Sequence, residues 1–333
     1  MLKLGIAGAG FIGEMHARNA ARSNAVELVA VAGARGAASA ERFVAELGGD
    51  VRAVSLEELL EDAAVEAVLL ATRTSDHAEH AVRVLEAGKH LLLEKPGAIT
   101  LTEQQSIRDA AARHPELVVR VAYHRRHDPR FRELAALIAD RRIGTPYAAH
   151  SISREDYPPS AEERYAGGFI MDVGVHDFDT ARWLLGSDPA RVFAAGQSAV
   201  YEHGGADNVY ITIDYADAAA TVQLSRTSRV GLEVRFEVLG ADGTALLYPG
   251  TASPAGMVAV TTTREFPVDC RTAFPEAYPA ELRDFAAAVR GEPAPGATLT
   301  DDHWAVATAV AARASVEQGS ALEVGPDWEW SGG

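Results

Sequence analysis

The sequence predicts an α/β protein of two domains, the first built on a parallel sheet and the second on an open, largely antiparallel sheet. The chain has 333 residues, more than one hydrophobic core usually organises. Up to about residue 122, short apolar runs alternate with helix-like segments, which is typical of βαβ units. Beyond that point, strand-like segments are separated mainly by turn residues, which favours antiparallel pairing.

The first domain is predicted to span residues 1–122. Its candidate strands are continuous apolar runs, as expected where helices cover both faces of a sheet. These strands are LKLGIAG, VELVAVAG, EAVLLAT, KHLLLE and LVVRVAY. Helical periodicity predicts helices in ERFVAEL, LEELLED and DHAEHAVRVLEAG.

The second domain is predicted to span residues 123–333. It opens with a helix over PRFRELAALIADRRIG, followed by the strand AAHSISRE and a helix containing HDFD. The later strand candidates are RVFAAGQSAV, NVYITIDYA, AATVQLSRTS, LEVRFEVLG, TALLYPG and MVAVTTT. Two predicted helices, PAELRDFAAAVRG and TDDHWAVATAVAARASVEQG, complete the domain.

Composition and charge indicate which partners the protein can bind and in which cellular compartment it is expected. The formal net charge of −16 repels nucleic acid and anionic membranes, so neither is an expected partner. No apolar run reaches the roughly 18 residues of a membrane span, and the N-terminus shows no basic leader or cleavage site. The single cysteine, Cys270, fits a reducing compartment. We therefore expect a cytoplasmic protein.

A glycine-rich turn follows the first predicted strand and precedes a predicted helix. It reads Gly8-Ala9-Gly10-Phe11-Ile12-Gly13, a spacing that also arises by chance in a chain with 29 glycines. Its place between strand and helix favours nucleotide binding. Glycines let backbone N–H groups approach a pyrophosphate, and the helix N-terminus faces its negative charge. The sequence therefore predicts a Rossmann dinucleotide-binding domain.

The end of the second strand bears on which dinucleotide binds. NAD-binding domains usually carry an acidic residue there to hold the adenosine ribose, but this chain has Gly33, Ala34 and Arg35. Without that carboxylate a 2′-phosphate is not repelled, and Arg35 could pair with it; alternatively, Arg35 is an ordinary loop residue. We predict NAD(P) as the cofactor, with NADP or dual use favoured over strict NAD.

Lys95 ends the strand HLLLE and precedes Pro96. Among the 31 Lys and Arg residues only Lys3, Lys89 and Lys95 are lysines. A rare lysine at the carboxyl end of a predicted parallel strand is informative, because such sheets bind ligands there. Its ammonium can polarise an oxygen atom or lower a neighbouring pKa. The alternative is an exposed loop lysine; we favour a catalytic role.

Asp172, His176 and Asp179 recur at helical spacing in one predicted helix, with Trp183 on the same side. Such a stripe is usually a solvated face, although Trp183 is seldom left in water and Gly167-Gly168 permits close approach of another group. A divalent metal is a second reading, but no other cluster has ligand spacing, and no metal is predicted. The third reading is proton transfer, in which a nearby carboxylate supports the charged form of the histidine.

Together these motifs resemble the Gfo/Idh/MocA oxidoreductase family, specifically its inositol 2-dehydrogenase branch. The matching segments follow the family order over most of residues 1–186, and a C-terminal segment also fits. They are GIAGAGFIGEMH, AVLLATRTSDHAEHAVRVLEAGKHLLLEKP, AYHRRHDPRFREL, SREDYPP, GGFIMDVGVHDFDTARWLLG and GATLTDDHWAVATAVAARASVEQGSALEV. The resemblance implies a Rossmann domain and an α/β domain whose open sheet assembles homodimers or homotetramers.

The resemblance also implies roles for individual residues. His176 would accept the substrate proton, assisted by Lys95 and Asp172, and the bond from Lys95 to Pro96 would be cis. Asp179 would hold a neighbouring substrate hydroxyl. The implied cofactor contacts are Gly8, Gly10, Phe11, Ile12, Gly13, Arg35, Thr72, Arg73, His77, Glu94 and Lys95. The implied substrate contacts are Lys95, Arg126, Asp172, His176 and Asp179.

We therefore predict an NAD(P)-dependent dehydrogenase that oxidises a secondary hydroxyl of a cyclic polyol or sugar, with hydride passing to nicotinamide C4. Two rivals stay open. One is a dehydrogenase or reductase of another sugar or a nucleotide sugar. The other is a non-catalytic NAD(P)-binding regulator, against which the set of Lys95, Asp172 and His176 argues.

Overall fold

The computed structural model describes residues 1–33, 36–159, 168–202, 205–229, 231–247 and 267–325. Within the chain, Met1–Asp128 and Glu276–His303 form one unit, and Pro129–Pro275 and Trp304–Gly333 form the other. The sequence-based division placed residues 123–333 in one domain. In the structure, residues 123–128 and 276–303 instead lie with the first unit.

A six-stranded parallel sheet forms the centre of the first unit. Its strands are β1 (Leu2–Ala7), β2 (Val26–Ala32), β3 (Arg52–Val54), β4 (Ala67–Leu70), β5 (His90–Glu94) and β6 (Val119–Ala122). They are arranged in the order β3-β2-β1-β4-β5-β6, and every neighbouring pair is parallel. This is the order of dinucleotide-binding sheets, which bind ligands where the order reverses, between β1 and β4. The predicted Rossmann fold is confirmed.

Helices cover both faces of this sheet. They are α1 (Phe11–Ala20), α2 (Ala38–Leu47), α3 (Leu56–Glu61), α4 (His77–Glu86), α5 (Leu101–Arg113) and, from far along the chain, α9 (Ala277–Val289). One apolar cluster joins strand residues to Leu282, Phe285 and Ala286 of α9. A second packs Leu59, Ile107 and other helix residues against strand residues. The burial of the α9 side chains explains why this late segment lies with the first unit.

A seven-stranded mixed sheet forms the centre of the second unit. Its strands are β7 (Pro146–Arg154), β8 (Pro189–Gln197), β9 (Asn208–Tyr215), β10 (Ala219–Ser225), β11 (Glu233–Gly240), β12 (Gly243–Leu247) and β13 (Leu322–Glu323). The order is β12-β11-β7-β10-β9-β8-β13. Strands β7 and β10 are parallel, and the other neighbouring pairs are antiparallel. The predicted open, largely antiparallel sheet is therefore confirmed, while the predicted strand MVAVTTT lies outside the described residues.

The two faces of the second sheet differ in character. One face is buried against helices, among them α7 (Val175–Leu185), which contacts β7. The opposite face exposes the large apolar side chains of Phe193, Tyr210 and Leu246. The remaining helices are α6 (Pro129–Ala139), α8 (Cys270–Ala273) and α10 (Leu299–Gln318). None of the helices that the structure describes is long and apolar enough to cross a bilayer.

Candidate functional site

The glycine turn between β1 and α1 has the geometry of a phosphate-binding loop. Gly8 has a φ of +113°, and a Cβ atom there would overlap the carbonyl oxygen of Ala71. A Cβ atom on Gly13 would likewise overlap the carbonyl oxygen of Gly8. Gly10, in contrast, would carry its Cβ atom into open space at the N-terminus of α1. A dinucleotide fits this arrangement, because the space is left at the helix end that favours phosphate.

The other predicted cofactor residues on the glycine turn are Phe11 and Ile12. They occupy the first two positions of α1, where Phe11 is 52% exposed. Arg35, the residue predicted to pair with a 2′-phosphate, lies outside the described residues. The roles of these three residues toward a cofactor stay predictions.

His77, at the start of α4, joins two loops at the ligand-binding edge of the first sheet. Its Nε2 atom lies 3.2 Å from the carbonyl oxygen of Thr72, and its Nδ1 atom lies 2.9 Å from that of Pro96. The ring is 2% exposed, and burial lowers the pKa of His77 although both carbonyls oppose that shift. The geometry suits a residue that positions the loops, while direct contact with a cofactor stays a prediction. Arg73, beside Thr72, is exposed and donates to Asp76 at 3.2 Å.

The buried carboxylate of Glu94 fixes the backbone at Lys95. Its Oε1 atom lies 2.7 Å from Nε2 of His16 on α1, and its Oε2 atom accepts a hydrogen bond from the Lys95 N–H at 3.0 Å. Glu94 is 7% exposed and His16 is fully buried. The Lys95–Pro96 peptide bond is cis, as the resemblance implied. The position of Lys95 is thus defined by contacts that reach from β5 to α1.

A second buried carboxylate, that of Asp302 on α10, holds the chain after Lys95. It accepts the Gly97 N–H at 3.0 Å, the Tyr123 hydroxyl at 2.8 Å and the side-chain amide of Gln104 at 2.5 Å. Asp302 has no exposed surface. The strand end that carries Lys95 is therefore anchored on both sides.

His124 is a buried histidine in the 3-10 turn His124–His127. Its ring stacks on Tyr278 with ring centroids 4.9 Å apart. Burial, followed by the positive charges of Arg125 and Lys95, lowers the pKa of His124 well below its usual value. A neutral imidazole thus accompanies the Lys95 ammonium. Arg126 of the same turn is also buried, and its guanidinium lies 3.0 Å from Asp301; its predicted contact with substrate stays a prediction.

Glu281 on α9 is a buried acid that the sequence did not single out. It is 1% exposed, and neither carboxyl oxygen has a hydrogen-bond partner among the residues that the structure describes. His127 Nε2 lies 3.8 Å from Oε1. Burial, followed by the negative charges of Glu94 and Asp284, raises the pKa of Glu281 well above its usual value. The group is therefore protonated over a pH range in which an exposed glutamate is ionised.

We expect Glu281→Gln to stabilise the protein as the pH rises. The folded-state pKa is raised, so the unfolded chain releases its proton first. The wild-type free energy of unfolding therefore falls between the unfolded pKa of about 4.5 and the folded pKa. The glutamine variant lacks this loss, so its melting temperature relative to wild type should rise from pH 4.5 to pH 8, by roughly 2–4 °C per kcal/mol. Calorimetry measures the difference. Glu46→Gln, at an exposed site, is the control, and a pH-independent difference for both variants would contradict the expectation.

In the second unit, Asp172 lies in the π-helical turn Ile170–Gly174, directly before α7. The sequence predicted one regular α-helix here, but hydrogen bonds in a π turn span five residues, so the 3.6-residue period does not hold across it. Gly174 allows the turn to pack closely, because a Cβ atom there would lie 3.0 Å from Leu224 and Phe178. Such turns are frequent at functional sites.

The polar stripe of this segment is not a solvated face. Asp172, His176 and Trp183 are partly buried, and Asp179 has no exposed surface. The Tyr157 hydroxyl donates a hydrogen bond to Oδ2 of Asp172 at 2.8 Å. Because Asp179 is fully buried, its predicted contact with a substrate hydroxyl stays a prediction.

The described site residues divide between the two units. The glycine turn, the loop after β4, Lys95 and Arg126 belong to the first unit, and Asp172, His176 and Asp179 to the second. Sequence reasoning missed Glu281, the His16 contact of Glu94, and Tyr157, although the segment SREDYPP was noted. Across the described ranges, no group of three or more His, Cys, Asp or Glu side chains is arranged to hold a metal ion.

Comparisons with known families match both halves of the chain. Residues 2–123 match the model of the oxidoreductase family with an NAD-binding Rossmann fold. Residues 131–246 match the model of the GFO/IDH/MocA C-terminal domain. The two matched regions correspond to the parallel sheet and to most of the mixed sheet.

Individual relatives match over nearly their full length. The scyllo-inositol 2-dehydrogenase (NAD(+)) of Bacillus subtilis (strain 168) is 28% identical over 332 residues, covering 97% of this chain and 96% of the relative. The 1,5-anhydro-D-fructose reductase of Ensifer adhaerens is 31% identical over 338 residues, covering 97% and 99%. The crystal structure of a myo-inositol dehydrogenase from Corynebacterium glutamicum ATCC 13032 superimposes with a TM-score of 0.85 at 25% identity, covering 98% and 99%.

Proposed function

Because the chain belongs to the GFO/IDH/MocA family of oxidoreductases with an NAD-binding Rossmann domain, we propose that it oxidises a secondary hydroxyl of a cyclic polyol or sugar. The feature that best supports this activity is the segment carrying Asp172 and His176. It offers a carboxylate and an imidazole, both partly buried, within five residues of one another. A carboxylate near a histidine is suited to general acid–base catalysis on a hydroxyl.

The proposed roles follow from the chemistry of each side chain. Bound NAD(P) supplies the hydride acceptor. His176 accepts the hydroxyl proton, and Asp172 stabilises the positive charge that His176 then carries. Lys95 offers a cationic donor to a substrate oxygen and favours the deprotonated form of that oxygen. The carboxylates of Glu94 and Asp302 hold the Lys95 strand end in place.

The inositol reading of the substrate is favoured by the named relatives, several of which are inositol 2-dehydrogenases. A second candidate, reduction of a ketose-type sugar, is favoured by the 1,5-anhydro-D-fructose reductase relative, which matches with 31% identity over almost its whole length. Both reactions use the same proton and hydride positions in opposite directions. The two candidates therefore differ in substrate and direction and not in the residues required.

A substrate screen tests the proposed activity. Reduction of NAD and NADP is followed by absorbance with inositol isomers and hexoses, and oxidation of the reduced cofactors with 1,5-anhydro-D-fructose. We expect turnover with at least one cyclic polyol. Turnover only with the anhydro sugar would favour the reductase, and cofactor binding by calorimetry without any turnover would favour a regulator.

We further propose that the cofactor is NADP or both dinucleotides, since residues 33–35 lack the usual acid. Arg35→Asp should shift the ratio of kcat/KM values toward NAD by roughly tenfold or more, because a carboxylate repels the 2′-phosphate and can hold the ribose hydroxyls. Steady-state kinetics with both cofactors measures the ratio. Arg22→Asp, a surface change outside the glycine turn, is the control, and an unchanged ratio in Arg35→Asp would show that Arg35 does not select the cofactor.

We also propose that the chain forms a homodimer or homotetramer through the exposed face of the second sheet. Phe193 and Tyr210 expose large apolar side chains on the neighbouring strands β8 and β9, and Leu246 exposes another on β12, which is apolar surface that a second copy of the chain would cover. Light scattering on wild type and on Tyr210→Glu tests the interface. A monomeric wild type would contradict it.

A further inference from the structure

Tyr157 is held in place by the chain segment that follows β10. Its N–H donates to the carbonyl oxygen of Arg226 at 3.1 Å, and Nε of Arg226 donates to the carbonyl oxygen of Tyr157 at 2.9 Å. The Arg226 guanidinium also lies 5.4 Å from the centre of the Tyr157 ring and 5.1 Å from that of Phe169. Both the backbone and the ring of Tyr157 are thus fixed by one arginine.

Arg226 is a fully buried cation, which requires compensation. The backbone N–H of Arg226 donates to the carbonyl oxygen of Asp207 at 2.9 Å, which brings the two residues next to each other. Asp207 is itself buried, and Oδ2 accepts three backbone N–H groups, those of Ala199, Val200 and Tyr201. Burial opposes ionisation, but these hydrogen bonds and the Arg226 charge together lower the pKa of Asp207. A buried negative charge therefore stabilises the arginine that holds Tyr157.

The end of this chain of contacts is the carboxylate of Asp172. The Tyr157 hydroxyl donates to Oδ2 at 2.8 Å, and Phe169, which packs against the Tyr157 ring with centroids 6.0 Å apart, directly precedes the π-helical turn. A hydroxyl hydrogen bond fixes the rotation of a carboxylate and favours its charged form. Both effects suit a carboxylate that must support a protonated histidine.

We propose that Tyr157 is a positioning residue for the reaction, which orients and keeps ionised the Asp172 carboxylate that assists His176, and that Arg226 holds Tyr157 for this purpose. The inference rests on the proposed dehydrogenase function. It adds a residue that does not touch substrate but sets the state of one that does. The Tyr157 hydroxyl contacts the Asp172 carboxylate directly, and the Arg226 guanidinium lies over the tyrosine ring.

A double-mutant cycle tests this role. Tyr157→Phe should lower kcat by about tenfold to a hundredfold, the value of a hydrogen bond to a charged group, with KM changed less than about threefold because substrate contacts remain. If Tyr157 acts only through Asp172, the variant Tyr157→Phe/Asp172→Asn should be no slower than Asp172→Asn alone. Additive losses in the cycle would overturn the proposal.

The pH profile is a second readout that a merely structural role would not move. Loss of the hydroxyl raises the pKa of the Asp172 carboxyl, so the acid limb of kcat/KM should move to higher pH in Tyr157→Phe. Tyr215→Phe, which removes another buried hydroxyl of the same unit, is the control and should leave kcat and the profile unchanged. An active wild type with an unaltered Tyr157→Phe overturns the positioning role alone. A wild type inactive on every polyol and sugar overturns it together with the proposed function.

Discussion

His176→Ala is expected to lower kcat by about 100- to 10,000-fold, the usual contribution of a general acid–base residue. Lys95→Ala is expected to cause a loss of similar size, because the substrate oxygen would lose a cationic donor. Neither variant should lose much stability. His176 is only partly buried, and Lys95→Ala leaves in place the hydrogen bond from the backbone N–H of residue 95 to Glu94 and that from Gly97 to Asp302. Stopped-flow or steady-state measurement of cofactor reduction gives the loss.

Matched controls separate catalysis from general damage. The control for His176 is His114→Ala, which removes an imidazole that faces Glu86 at the surface. The control for Lys95 is Lys3→Ala, which removes an exposed lysine. Both should keep wild-type kcat. If His176→Ala and Lys95→Ala also kept it, with cofactor still bound, the catalytic assignment of both residues would be wrong.

Gly10→Ala is expected to weaken cofactor binding by roughly 10- to 100-fold, or about 1.4–2.8 kcal/mol, while leaving the fold intact. Its Cβ atom would meet no protein atom within 4 Å, so only a group that occupies the open space is affected. The change of the residue before α1 costs less than about 1 kcal/mol in capping. Isothermal calorimetry with NAD and NADP measures the binding, and thermal unfolding without cofactor measures the stability.

Gly13→Ala provides the contrast within the same turn. Its Cβ atom would overlap the carbonyl oxygen of Gly8, so the variant should lose about 1–3 kcal/mol of stability even without cofactor. Gly243→Ala, at a glycine without a positive φ whose Cβ atom would meet its nearest neighbour, Ile143, at 3.8 Å, controls for a glycine-to-alanine change far from the turn. Wild-type affinity in Gly10→Ala would show that no phosphate group approaches this position.

The fold was predictable where the sequence pattern is local and long enough. Continuous apolar runs gave β1, β2, β4 and β5, because a strand buried on both faces needs apolar residues throughout. Strand β3, with only three residues, is too short to show a period. The return of α9 to the first unit is a long-range packing event, which no local pattern encodes. The position of Leu282 in the apolar cluster of the first unit is visible only in the structure.

The places of the candidate site residues in the fold were predictable to the level of the motif. The glycine turn and Lys95 follow the carboxyl ends of predicted strands, which is where parallel sheets of this kind bind ligands. The π-helical turn at Asp172 was not predictable, because helical periodicity assumes 3.6 residues per turn. Tyr157 and Arg226 were missed because single polar residues in irregular segments carry no periodic signal. Their contacts join residues 69 positions apart in the chain.

The return of α9 has a consequence for how this protein can be recombined. A fragment that ends at residue 128 would leave bare the apolar surface that Leu282, Phe285 and Ala286 cover, and would also lack Asp302, which ties down Gly97. A transplant of the nucleotide-binding half into another dehydrogenase must therefore carry two pieces of chain, Met1–Asp128 and Glu276–His303. In an exchange of N-terminal halves at one crossover, the recipient's own later segment would have to fit the apolar surface that Leu282, Phe285 and Ala286 cover here.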